Sequence, residues 1–195
     1  MLRVSVIFIA ISVLILTTVS IYIYKAAYGS EFVSGLSHPI LGFDHLLAML
    51  SVGILSAQMG GRSIWTVPTT FVLVMAAGGA MGMLGINFFF VETGIAISVV
   101  LLGSAIALGH FGTPVLAMLY VGLFAIFHGY AHGAEMPGAA SPLYYAIGFM
   151  TGTAFIHVVG VFLGLTIMAY SRQFNFLRIC GAVISGVGVY FLLAN

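Results

Sequence analysis

The run Gly35-Leu-Ser-His38-Pro39-Ile-Leu-Gly42-Phe-Asp44-His45-Leu-Leu-Ala-Met49 stands at the threshold of a hydrophobic segment that continues to Met59. Two histidines and an aspartate are out of place there. Lipid offers an ionisable side chain neither water nor counter-ion, and a charge at the bilayer centre costs about 3 kcal/mol even on lenient insertion scales. Such groups mark a site. Pro39 suits the first turn of a helix, where its missing N–H would go unbonded anyway, so the pattern predicts a helix that starts just after His38. Asp44 and His45 then lie about one turn inside it. Neutral imidazole and carboxylate together are ligands for borderline divalent metals such as nickel, cobalt and zinc. A helix cap with a buried Asp–His hydrogen bond is the plainer alternative.

Composition agrees with a membrane setting. Hydrophobic residues make up 62% of the 195, charged residues only 5%, and the mean hydropathy is +1.24. So few charges cannot cover a soluble domain, and no hydrophilic run is long enough for a second one, so residues 1–195 read as a single transmembrane domain of all-α class. The five basic residues are scattered singly, which excludes a nucleic-acid surface. Cys180 stands alone in an apolar segment, so no intrachain disulfide, redox pair or thiolate cluster exists, and the residue reads as packing.

Seven segments reach the roughly twenty apolar residues a spanning helix needs: Val4–Tyr24, Ile40–Met59, Thr66–Leu84, Val91–His110, Pro114–His132, Pro142–Tyr170 and Phe176–Ala194. The first is a retained helix or, with cleavage after residue 29, a signal peptide that leaves six helices. With Arg3 cytoplasmic, alternation puts Arg62, Arg172 and Arg178 on the cytoplasmic side and only Lys25 outside, as positive charge prefers. Gly78-x-x-x-Gly82, Gly148-x-x-x-Gly152 and Gly160-x-x-x-Gly164 give smooth helix faces that let neighbouring backbones approach.

A second polar concentration, Phe127-His128-Gly129-Tyr130-Ala131-His132-Gly133-Ala134-Glu135, closes the fifth segment. His128 and His132 are four apart and point the same way, so they can share an ion; interhelical hydrogen bonding is the alternative. Glu135 falls on that face if the helix continues, or just above it if Gly133 ends it. Glu92 opens the fourth segment, where a carboxylate also suits the helix dipole. Under the expected topology His38, Asp44, His45, Glu92, His128, His132 and Glu135 all lie toward the external leaflet. Three of four acids and four of six histidines at one depth is not dispersal. His110, at the cytoplasmic end of the fourth segment, is explained by helix carbonyls. His157, near the middle of the sixth segment, is either a bundle hydrogen bond or an inner relay on an ion path. Met49, one turn after His45, is the methionine placed where it can line the site.

His38-x5-Asp44-His45, Gly60-Gly61-Arg62, Val91-Glu92-x-Gly-Ile-Ala-x-Ser-Val and Phe127-His128-Gly-x-Ala-His132-Gly-x-Glu135 together resemble the HupE/UreJ family of nickel and cobalt permeases. The resemblance implies a bacterial inner-membrane permease importing Ni2+ or Co2+ as substrate, with no prosthetic group and the lipid bilayer as its other partner. It also implies His38, Asp44, His45, Glu92, His128, His132 and Glu135 as the residues that handle the ion.

Other classes remain to be weighed. No Gly-x4-Gly-Lys-Ser/Thr loop is present, so the chain itself does not hydrolyse ATP. An intramembrane zinc hydrolase would use the same ligands, with a metal-bound water and a substrate cavity beside an open coordination position. A seven-helix retinal protein is excluded, since Lys25, the one lysine, falls outside the spanning segments.

Overall fold

Pro39 has no N–H to donate to the carbonyl of Gly35, and Gly42 takes an extended conformation (φ −88°, ψ 110°), so the helix that begins this region cannot run straight on. In the computed structural model, which describes residues 31–109, 111–136, 142–170 and 175–194, α1 spans Glu31–Leu41 and α2 spans Phe43–Met59. Their axes meet at 83°. The expected helix start after His38 is therefore corrected. Pro39 lies in the closing turn of α1, and the break comes at Gly42. The expected span Ile40–Met59 is correspondingly a bent pair. At 17 residues α2 covers about 26 Å, less than the roughly 30 Å of a hydrocarbon core.

Five further helices follow, each long and apolar enough to cross a membrane: α3 (Ser63–Met83), α4 (Val91–Leu108), α5 (Pro114–Ala134), α6 (Pro142–Tyr170) and α7 (Asn175–Ala194). Their ends follow local rules. Thr113 caps α5 by accepting from the Leu116 N–H at 3.3 Å, with Pro114 at the first helical position, and Gly109 ends α4 in the left-handed region (φ 68°). Seven helices and no strand are present among the described residues, so the fold is an all-α membrane bundle. Val4–Tyr24, Arg3, Lys25, His110 and Arg172 lie outside the described residues, as does the alternative cleavage after residue 29.

Three pairs organise the bundle: α3 on α5, α4 on α7 and α2 on α6. Glycines set their separation. A Cβ at Gly78 or Gly82 would strike the carbonyls of Ile126 or Tyr130 on α5, and one at Gly129 or Gly133 would strike those of Met75 or Gly79 on α3. Gly148 and Gly152 take α1 in the same way, while Gly160 and Gly164 take α2, so all three glycine pairs noted in the sequence are contact faces. The beginnings of α2 and α4 and the end of α5 share one end of the bundle. Gly129→Ala is accordingly expected to destabilise the protein by about 1–3 kcal/mol, because backbone rather than a yielding side chain meets the added methyl. Gly186→Ala, with nothing within 4 Å, is the control; thermal unfolding of both in detergent checks the difference.

Candidate metal centre

The bend at Gly42 brings His38, in the last turn of α1, back over the first turn of α2, where Asp44 and His45 sit. α5 stays helical through Gly133 to Ala134, so of the two sequence alternatives the helix continues. Glu135 is its C-cap residue. From these elements four imidazoles form one row. Ring centroids are 4.7 Å apart from His38 to His132, 4.3 Å from His132 to His45, and 4.8 Å from His45 to His128. Glu135 stands at its mouth, with Oε2 3.5 Å from His38 Nε2. Candidate ligand atoms of His38, His132 and Glu135 all lie within 4.8 Å of one another. Exposure falls inward along the row: the Glu135 side chain is 59% accessible and that of His38 27%, whereas His132, His45 and His128 are buried.

Two hydrogen bonds decide which nitrogens face the interior of the row. Asp44 Oδ1 accepts at 2.8 Å from the His45 backbone N–H and at 2.8 Å from ring Nδ1. An ionised carboxylate only accepts, so Nδ1 carries the proton and Nε2 keeps its lone pair. Ser98, buried on α4, donates to the carbonyl of Ile95 at 2.6 Å and lies 2.9 Å from His128 Nε2. With its hydrogen spent on Ile95, the hydroxyl accepts from Nε2–H, and the lone pair of His128 falls on Nδ1. Both freed atoms, His45 Nε2 and His128 Nδ1, are buried and bond to nothing among the described residues; neither do Nδ1 and Nε2 of His132.

Of the plainer sequence alternative, the Asp–His hydrogen bond is present, while no side chain caps α2 at Gly42. Asp44 orients His45 as second-layer carboxylates orient metal-binding histidines. Glu92 is exposed in the first turn of α4, where the charges of Asp44, His45 and Glu135 act on it, outside the group whose atoms converge within 4.8 Å. Of the expected helix neighbours, α2 packs on α4 and α4 on α5, and α2 touches α5 lightly. Met49 belongs to the hydrophobic core. Ser98 escaped the sequence reading. Its signal was a hydroxyl less than two turns beyond Glu92 on a helix already placed at the site.

A family model described as HupE / UreJ protein matches residues 8–191. The chain belongs to the HupE/UreJ family. This HupE/UreJ protein is also 39% identical over 162 residues to "Protein HupE" of Rhizobium leguminosarum bv. viciae, a match that covers 82% of this chain and 83% of that one. No solved structure matches it. The family is one of hydrogenase and urease accessory proteins related to nickel and cobalt transport. In this HupE/UreJ protein, if the row holds a divalent ion such as Ni2+, Asp44→Asn and Ser98→Ala should each weaken its binding about 10–100-fold, the usual effect of losing a group that orients a histidine ligand. Equilibrium binding by the purified protein checks this, with unchanged helical circular dichroism as the control.

Proposed function

We propose that this protein is a permease that imports Ni2+, or Co2+, across the bacterial inner membrane, and that it captures the ion from the periplasmic side at the row His38, His132, His45 and His128 with Glu135 and Glu92 at its mouth. Four buried ring nitrogens without partners carry this reading. Each unmade bond costs about 1–3 kcal/mol, so a purely structural cluster would sacrifice several kcal/mol at one place for no return. Each of His45, His128 and His132 has one lone pair among those nitrogens, and an ion that accepts the three lone pairs removes most of the cost. Imidazole nitrogen with carboxylate oxygen is a donor set for Ni2+, Co2+ and Zn2+ rather than for Mg2+ or Ca2+. Direction is supported by Arg62 and Arg178, which lie on elements at the opposite end of the bundle from the row, as cytoplasmic arginines would.

Asp44 enters chiefly as the group that fixes His45, with Oδ2 as the atom it can give to an ion. The hydrolase alternative gains no support at His132. The cavity that His132 lines with Gly129, Gly133, Tyr145 and Phe149 measures about 50 Å³, room for water-sized species and not for a peptide or ester.

His45→Ala and His132→Ala are expected to lower initial Ni2+ uptake by at least about tenfold, since each deletes one donor worth an ordinary charge-assisted bond or more. Uptake of labelled Ni2+ and Co2+ by proteoliposomes, compared with Zn2+ and normalised to reconstituted protein, tests both the substrate and the residues. Normal transport by both variants would make the row structural.

A further inference from the structure

The row of imidazoles does not end at His128. Beyond it stands Phe71 of α3, fully buried, with its ring centroid 5.6 Å from that of His128. The same ring also meets that of His157, at the middle of α6, with centroids 5.1 Å apart and planes at 89°. His157 is buried, and neither of its ring nitrogens has a partner among the described residues. One helical turn earlier on the same face, the hydroxyl of Thr153 is also buried and unpartnered.

Several other helical hydroxyls are satisfied by their own backbone, although that of Ser51, buried on α2, is not. Ser56, Thr70 and Thr151 each donate to the carbonyl four residues back, at 2.6, 2.8 and 2.7 Å. Thr153 makes no such bond. Its oxygen and both nitrogens of His157 are thus polar groups held in the dry middle of the bundle with nothing to bind, a condition that native interiors avoid unless a ligand visits.

Resting on the permease reading, we propose that His157 and Thr153 form a second, inner binding site for the transported divalent ion, closed off from the outer row by the ring of Phe71. One imidazole and one hydroxyl offer far fewer donors than the outer row, so the inner site holds the ion more weakly and favours release. Phe71 sets the order of events. An apolar ring between two donor sites gives a partly dehydrated ion nothing to bind, so passage waits for the ring to move.

α3 is built to allow that movement. Pro68, one turn before Phe71, cannot donate to the carbonyl of Ile64, which leaves α3 weakest at that turn. An apolar groove of about 290 Å³ between α3 and α6, bordered by Ile64, Pro68 and His157, adjoins the same turn. Flexing there leaves the glycine contacts of Gly78 and Gly82 with α5 in place further along the helix.

Full-length protein in proteoliposomes decides the matter when Ni2+ binding at equilibrium, initial Ni2+ uptake and Ni2+ efflux from loaded vesicles are measured on one preparation. In His157→Gln and Phe71→Trp, binding should stay within about twofold of the wild type while uptake falls about tenfold, the effect of one lost donor or one raised barrier. Phe71→Leu, which thins the partition and keeps the core filled, should raise efflux several-fold with binding again unchanged. Preserved binding shows that the variants are folded; should the larger Trp side chain not fit, the other two decide. Uptake in His157→Gln equal to the wild type, or efflux in Phe71→Leu unchanged, would overturn the inner site. A wild-type protein that moves no divalent ion would instead remove the permease reading, and the inner site with it.

Discussion

An imidazole nitrogen buried without a bond is among the more expensive things a membrane bundle can hold, and here His45, His128 and His132 carry four of them within a few ångströms. Everything around them keeps those groups from collapsing onto one another or onto the backbone. Ser98 and Asp44 occupy the outward nitrogen of their histidines and so prevent the rings from turning over. Backbone contact between α3 and α5 at Gly129 and Gly133, the residues that follow His128 and His132, fixes both ring-bearing turns. Rigidity of this kind makes an unsatisfied donor set persist long enough to be useful.

Much of this was legible in the sequence. Five of the expected spans match the observed helices to within three residues at either end, because runs of apolar residues punctuated by Gly and Pro leave little choice in lipid. Convergence of α2, α4 and α5 was legible too, since helix alternation dictates which ends meet. The bend at Gly42 was harder. Pro39 announces a discontinuity, but whether it opens the following helix or closes the preceding one depends on α1 packing against Gly148 and Gly152 of α6, a contact more than a hundred residues away.

Within the site, residue types were easier to read than roles. His45 and Asp44 were expected to act side by side, whereas the bond from Nδ1 to Oδ1 ranks them, one presenting a lone pair and the other aiming it. Ser98 and Phe71 were invisible for a common reason. A serine in a helix normally bonds its own backbone, and a phenylalanine among sixteen is normally core, so only the neighbour 30 residues away for Ser98, or the two imidazoles in contact with Phe71, distinguishes them.

On the permease reading, the shortness of α2 bears on how a chain without a nucleotide site would drive an ion inward. A 17-residue helix is thinner than the hydrocarbon slab around it, and the mismatch lets water and headgroups sink toward the mouth of the row. The membrane voltage then drops across the remaining protein rather than across the full bilayer. A divalent ion carried through the whole of a 100 mV potential gains about 4.6 kcal/mol, twice the value for a single charge. On the same reading, a dielectric thinned at the row's end of the bundle would concentrate that pull over the short stretch between the histidine row and the opposite face, where a bound ion would have to leave its ligands.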